Sequence, residues 1–228
     1  MNTRQHSSRE FEAELQGVKN AILAMGGRAE HSLGDAINAL VNRDTELAQR
    51  TIAADKDTDR NEMEIDELTL KILALRQPVG SDLRFLATAL KIVTDLERVG
   101  DLTVNICERV LELNTEPQLK PYIDLPRMAA RVSAILRTSL DAYVTGDVQK
   151  AKDVLASEQA IDDLNVQLFR ELVSFMVEDP RTITRGMRLI FIAKYLERIS
   201  DHATNIAEQV IFMVKGSDVR HGASIDVL

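Results

Sequence analysis

The sequence predicts an all-α protein made of two tandem antiparallel three-helix bundles that are related by internal duplication. Leu, Ile, Val, Ala, Glu and Arg are abundant, and the 228 residues include only 10 Gly and 5 Pro, a composition that favours helices. A repeat gives the second observation, because 8 of the 15 positions from Leu96 to Val110 are identical to those from Leu196 to Val210. Six long helices are therefore expected, three in each half.

The first repeat is predicted to occupy residues 11–113. Its first helix is marked by apolar residues at three- and four-residue steps from Phe11 to Leu40. Asp44 is the expected N-cap of a second helix that ends near Leu75. The stop Gln77-Pro78-Val79-Gly80 precedes the third helix, for which Ser81 or Asp82 is the expected cap.

The second repeat is predicted to occupy residues 127–215, after a linker at residues 114–126 that holds three of the 5 prolines. Positions in this repeat match the first with an offset of 103, which falls to 100 after the turn Glu178-Asp179-Pro180. A change of offset confined to a turn is compatible with duplication. Residues 216–228 are expected to form a loose tail.

Composition also limits the class of function. A net charge of −8 argues against a nucleic-acid-binding protein, which needs a basic surface. No apolar run is long enough to span a bilayer, and the N-terminus has no signal-peptide core, so a soluble cytoplasmic protein is predicted. The single cysteine, Cys107, is expected to be a small buried residue.

Acidic residues line one stripe of the third helix of each repeat. At 100° per residue, Asp101, Asn105 and Glu108 all fall within about 80° of Glu97, in line with apolar positions such as Leu90. The second repeat has the matching stripe Glu197, Asp201, Asn205 and Glu208. The second helices carry the pairs Asp55–Asp59 and Glu158–Asp162, which would face these stripes between antiparallel neighbours.

Three arrangements would lower the energetic cost of carboxylates that lie in line with apolar residues. Arg98 and Arg198 are candidate ion-pair partners, although they lie about 100° around the helix. The carboxylates would alternatively face water, as single acidic pairs on helices usually do. In the third arrangement they bind hard cations such as Mg²⁺, Ca²⁺, Mn²⁺ or iron. Four acidic pairs recur at matching positions of the two repeats and lie in line with apolar residues, so cation binding is favoured. A charged surface without bound metal is the alternative.

Other polar features suggest no catalytic site. Arg84, Lys91 and Asp95 share a stripe that is expected to be a solvated face, and His202 is expected to be a surface histidine rather than a ligand. No Glu-x-x-His pair, nucleotide-binding loop or activated nucleophile is found. We therefore predict that the chain is not an enzyme.

The two repeats, each ending in Leu-Glu-Arg-[Val/Ile]-x-Asp followed by Asn-Ile, resemble the PhoU family over residues 11–215. The resemblance implies a cytoplasmic, all-α homodimer that binds multinuclear metal clusters through E(D)xxxD motifs. It implies a negative regulator of the phosphate-starvation (Pho) response that also modulates phosphate uptake. The implied partners are the ATPase subunit of the high-affinity phosphate ABC transporter and the membrane sensor histidine kinase, so that the membrane is met only through partners.

The resemblance also implies two metal sites for divalent or trivalent ions (iron, Mn, Mg or Zn). The implied ligands of the first site are Asp55, Asp59, Glu97 and Asp101. Those of the second are Glu158, Asp162, Glu197 and Asp201. Further candidate ligands are Asn105, Glu108, Asn205 and Glu208. The rival predictions are a carboxylate-cluster metalloenzyme and a metal-free helical scaffold.

The two implied sites are expected to differ in acidity. Glu62 and Asp66 extend the acidic stripe of the second helix, and their counterparts in the second repeat are Asn165 and Phe169. The first site is therefore predicted to be the more acidic one, with a different metal count or affinity.

Overall fold

A computed structural model describes the backbone of residues 3–216 and the side chains of residues 9–216. This part of the chain forms α-helices, a short 3-10 helix at Pro180–Thr182 and no β-strand. The helices are α1 (Thr3–Asn42), α2 (Thr45–Arg76), α3 (Ser81–Asn114), α4 (Asp124–Thr145), α5 (Val148–Glu178) and α6 (Ile183–Lys215). The predicted fold class, with three helices in each half, is confirmed.

Short polar turns make consecutive helices antiparallel. Asp44 caps α2 as predicted, because its side chain accepts a hydrogen bond from the Leu47 amide. Asp147 caps α5 in the same way, after Gly146 in the left-handed conformation ends α4. At the far end of the first pair, Arg76 in the last turn of α2 donates to both carboxylate oxygens of Glu14 on α1, each at 2.8 Å.

Helix starts differ from the prediction in three places. Helix α1 already begins at Thr3. The apolar pattern that starts at Phe11 marks only where its side chains begin to pack against the core. Gly80, at φ 61°, occupies the N-cap of α3, and neither Ser81 nor Asp82 caps it. Helix α4 begins at Asp124 within the expected linker, because a proline such as Pro126 fits the first turn of a helix, where amides lack intrahelical partners.

The two bundles pack side by side and share one continuous apolar core. Helix α3 lies antiparallel to α6, and α1 lies against α4, while α2 and α5 are the outer helices. Cys107 is fully buried as predicted, and burial raises the pKa of its thiol to about 12. Apart from Gly216, the expected tail at residues 216–228 lies outside the described residues.

The stripe of α3 that was expected to be solvated is instead the contact with α6. Arg84 Nε donates to the Met213 carbonyl at 3.0 Å, and Lys91 lies over the ring of Phe212. Asp95 Oδ1 lies 2.9 Å from Nδ1 of His202, whose side chain is only 19% exposed. The expectation of a surface histidine was therefore wrong, because the sequence pattern does not say which helical faces the second bundle covers.

No helix within residues 3–216 combines the length and the apolar run that crossing a bilayer requires.

Gly26 on α1 permits the close approach of α4. A Cβ added at this position would lie 2.2 Å from Leu140 Cδ1, whereas a Cβ at the adjacent Gly27 would meet no atom within 4 Å. We expect Gly26→Ala to unfold with a free energy about 1–3 kcal/mol lower than that of Gly27→Ala, because the buried leucine must shift. Gly27→Ala should itself stabilise the helix by about 0.5–1 kcal/mol. Urea unfolding of both variants measures the difference, and equal stability would contradict the tight contact.

Candidate functional site

The first acidic set lies in the seam between α2 and α3, where Asp55 closely approaches the α3 backbone. A Cβ added at Gly100 would lie 2.7 Å from Asp55 Oδ1 and 3.2 Å from a methyl carbon of Thr58. Any larger residue at this position would therefore push the α2 carboxylate away. Glycine, which is costly within a helix, allows the short aspartate side chain to sit directly against α3.

Electrostatic interactions connect the four implied ligands of the first set. The pKa of Asp55 rises to about 6, first because burial disfavours the charged form and then because Asp59 and Asp101 repel it. Burial followed by repulsion from Asp101 also raises the pKa of Glu97, although Arg98 opposes the rise. The structure therefore brings together the acidic pairs that the sequence places on separate helices.

Glu62 and Asp66 extend this set along α2. Burial is the main reason that the pKa of each is raised, and Asp66 and Asp59 add to the effect on Glu62. Asp66 Oδ1 is buried and has no hydrogen-bond partner. The helical wheel places both residues on the acidic stripe, and they have the E(D)xxxD spacing themselves, although the ligand set implied by the resemblance does not include them. The first set therefore contains six carboxylates.

Arg98 partly balances the charge of the first set. Its Nη1 donates to Asp101 Oδ2 at 3.0 Å. Arg98 lies about 100° around the helix from Glu97 but only about 60° from Asp101, and side chains three residues apart on a helix are neighbours. Arg98 Nε lies 3.3 Å from Glu97 Oε2 without hydrogen-bond geometry, and that buried oxygen accepts no hydrogen bond. Because the arginine side chain is 56% exposed, solvent weakens the compensation.

The second acidic set occupies the matching seam between α5 and α6. Burial raises the pKa of Asp201, and repulsion from Glu197, Glu158 and Asp162 adds to it, against attraction from Lys194. All four implied ligands therefore interact. Lys194 forms an ion pair with Glu197, whose buried Oε2 still lacks a partner with hydrogen-bond geometry.

The four further candidates lie beyond these sets along α3 and α6. Asn205 and Glu208 line a cleft of about 670 Å³ between the two helices, and Asn205 Nδ2 donates to Asp95 Oδ1 at 3.3 Å. Glu108 forms an ion pair with Arg109 at 3.5 Å, and Asn105 is half-buried one turn beyond Asp101. As ligands these four residues stay predictions.

The chemistry of the two acidic sets fits a hard cation. Glu97, Glu197 and Asp66 each present a buried carboxylate oxygen that accepts no hydrogen bond, and carboxylate oxygens are the ligands that such ions prefer. Among the described side chains, no three His, Cys, Asp or Glu residues are already arranged to hold an ion. Mutual repulsion favours such an open arrangement of like charges. The metal-ligand assignment stays a prediction.

The raised pKa of Asp55 makes a prediction for the chelated, metal-free protein. Because the folded pKa of about 6 lies above the ordinary 3.8, its carboxylate destabilises the fold once ionised, and stability should increase as the pH falls through that interval. We expect Asp55→Asn to stabilise the protein by about 1 kcal/mol at about pH 7.5, after allowance for solvent screening, and to flatten the pH dependence. Urea unfolding at several pH values measures this. Asp57→Asn, an exposed neighbour on α2, should leave the profile unchanged, and an unaltered profile in Asp55→Asn would contradict the prediction.

Comparison with known proteins agrees with the fold and the repeat. The PhoU domain model matches residues 22–110 and again 125–210. A Pseudomonas aeruginosa protein named phosphate-specific transport system accessory protein PhoU homolog is 41% identical, over 95% of this chain and 90% of the relative. The Escherichia coli accessory protein PhoU is 35% identical, over 100% of this chain and 95% of its own length.

Two solved structures agree as well. The crystal structure of PhoU from Pseudomonas aeruginosa superposes with a TM-score of 0.87 at 39% identity, covering 91% of this chain and 100% of that one. The phosphate transport system regulatory protein PhoU from Streptococcus pneumoniae gives 0.85 at 27% identity, covering 92% and 99%. These relatives are named as accessory or regulatory proteins, which confirms that the chain is not an enzyme. With two domain matches and full-length relatives, the chain belongs to the PhoU family.

Proposed function

We propose that this chain is a metal-binding regulatory adaptor that holds the phosphate-starvation response off when phosphate is sufficient. It links the ATPase subunit of the high-affinity phosphate ABC transporter to the membrane sensor histidine kinase and modulates phosphate uptake. The observation that carries the proposal is the full-length match to accessory proteins of the phosphate-specific transport system. The adaptor acts in the cytoplasm as a homodimer and meets the membrane through its partners.

The metal part of the proposal rests on the two acidic seams. Asp55, Asp59, Glu97 and Asp101 hold one centre. Glu158, Asp162, Glu197 and Asp201 hold the other. Raised carboxyl pKa values in both seams support this, because a cation would relieve the burial and repulsion that cause them. Bound iron, Mn, Mg or Zn supplies positive charge that neutralises the seam and fixes the outer helix against α3 or α6.

A fixed outer helix is what an adaptor requires. Helices α2 and α5 pack mainly against the other helices of their own bundles, so the seams with α3 and α6 help to determine their positions. Asp59 and Glu158 are exposed on these outer helices, where a cation would change the charge that a partner meets. Metal binding and partner binding are therefore coupled in this proposal.

Elemental analysis of protein purified without chelator tests the metal part directly. We expect bound metal in the unsubstituted protein, and loss of the ions of the first seam alone when Asp55, Asp59, Glu97 and Asp101 are changed to the corresponding amides. Asp57→Asn is the matched control, because Asp57 lies on the same helix but pairs with Arg60 at 3.3 Å on the solvent side. Substoichiometric metal in the unsubstituted protein would favour the metal-free scaffold.

Removal of the metal should also lower stability and partner affinity together. A ligand at about 100 times its Kd stabilises the folded state by about 2.7 kcal/mol, so chelation should lower Tm by several degrees. Binding to the purified ATPase subunit should weaken in parallel and recover when metal is restored. An unchanged Tm and unchanged binding in the metal-free protein would exclude a structural role for the ions.

A further inference from the structure

Position 100 and its counterpart at position 200 differ between the two seams. Gly100 makes room for Asp55, whose Oδ1 lies 2.7 Å from where a Cβ would be. In α6 the matching residue is Ser200, which is 1% exposed. By the match between repeats, a side chain at this position is directed toward the seam between the second and third helices, where Glu158 is the residue that corresponds to Asp55.

The Ser200 hydroxyl is buried without a hydrogen-bond partner. A helical serine commonly donates to a carbonyl in the preceding turn, as the equally buried Ser139 does to the Leu136 carbonyl at 2.7 Å. The oxygen of Ser200 makes no such bond, although leaving a buried hydroxyl unpaired is costly. A buried oxygen without a hydrogen-bond partner is available to coordinate a cation.

The same face of α6 carries the second acidic set. At 100° per residue, Ser200, Thr204, Glu197 and Asp201 share an arc of about 100°. Thr204 Oγ1 is also buried and has no hydrogen-bond partner, and the buried Glu197 Oε2 has Lys194 as an ion-pair partner but accepts no hydrogen bond. The first repeat has Gly100 and Val104 at the two hydroxyl positions. On the third helix, buried unpaired hydroxyls therefore share a face with the carboxylates in the second repeat and not in the first, whose unpaired hydroxyl beside the acidic set, that of Thr69, lies on the second helix.

The second seam also has less negative charge. Glu62 and Asp66 of the first repeat correspond to Asn165 and Phe169 in the second, and Lys194 pairs with Glu197. Glu158 is one methylene longer than Asp55, its counterpart in the first repeat. Where the first repeat has Asp55 and Gly100, the second has Glu158 and Ser200, so a hydroxyl oxygen is added at a position that has no side chain in the first repeat.

We propose that the Ser200 hydroxyl is a ligand of the cation in the second seam, an inference that rests on the metal binding proposed above. The second centre is then a mixed carboxylate–hydroxyl site, whereas the first is built from carboxylates. Neutral oxygen donors are ordinary ligands of hard cations. The hydroxyl supplies coordination where this repeat has lost acidic residues.

The test uses the full chain with the first seam disabled by Asp55→Asn, Asp59→Asn, Glu97→Gln and Asp101→Asn. Mn²⁺ is titrated into this background, and free Mn²⁺ is measured by electron paramagnetic resonance. Adding Ser200→Ala should weaken Mn²⁺ binding about 10-fold. Adding Ser139→Ala, which removes an equally buried serine hydroxyl on α4, a helix that forms neither seam, should leave the Kd unchanged.

Metal-free stability separates a ligand from a structural residue. Because the Ser200 hydroxyl has no partner without a cation, Ser200→Ala should melt at the same or a higher temperature than its background in chelator. A fall in the metal-free Tm that accompanies the weaker binding would assign Ser200 a packing role and overturn the inference.

The remaining outcomes distinguish this inference from the proposed function. If the background binds Mn²⁺ and Ser200→Ala leaves its Kd unchanged, the hydroxyl is not a ligand, while metal binding stands. If Mn²⁺ binds the unsubstituted chain but not the background, the second seam holds no ion and the inference falls alone. If neither binds Mn²⁺ and elemental analysis finds no metal, the metal part of the proposed function falls too.

Discussion

Apolar packing in this protein forces like charges together, and the rest of the structure depends on that constraint. Residues such as Leu86 and Val93 are fully buried in line with the acidic stripe of α3, so α2 cannot move away without exposing the core. Each 100 Å² of apolar surface kept from water contributes about 2.5 kcal/mol, whereas an exposed like-charge pair one turn apart costs a few tenths. The apolar packing therefore outweighs the electrostatic cost, and that cost, burial first and repulsion second, appears as the raised pKa values of Asp55 and Asp201.

Helices α3 and α6 each belong to two interfaces. One face carries the acidic stripe toward the outer helix, and another forms the contact between bundles, where Asp95 meets His202 and Asn205. At the end of this contact that lies next to the linker, Arg188 of α6 forms ion pairs with Glu112 and Glu116. A change in how α2 or α5 seats on its seam therefore acts on a helix that the opposite bundle also contacts.

Periodicity and repetition predicted the helices, their antiparallel order and the two acidic sets, because each of these depends on spacing along one helix or between matched helices. The contact between bundles could not be predicted in this way. Asp95 lies on a charged stripe that is typical of a solvated surface, and only the path of α6 brings His202 onto it. By contrast, the pair of Arg98 with Asp101 depends only on a spacing of three residues along one helix, so the sequence could name Arg98 as a candidate partner.

Gly100 shows most clearly what a helical wheel leaves out. Its position predicts a small buried residue, yet its importance lies in an atom it lacks, because a Cβ there would displace Asp55. The second repeat has a different pair, Ser200 with Glu158, at the same point of a matching seam. Core positions such as Leu96 and Leu196, or Ile106 and Ile206, are identical in the two repeats. The two halves therefore share the apolar positions that bring the acids together. They differ in the polar residues at this point of the seam.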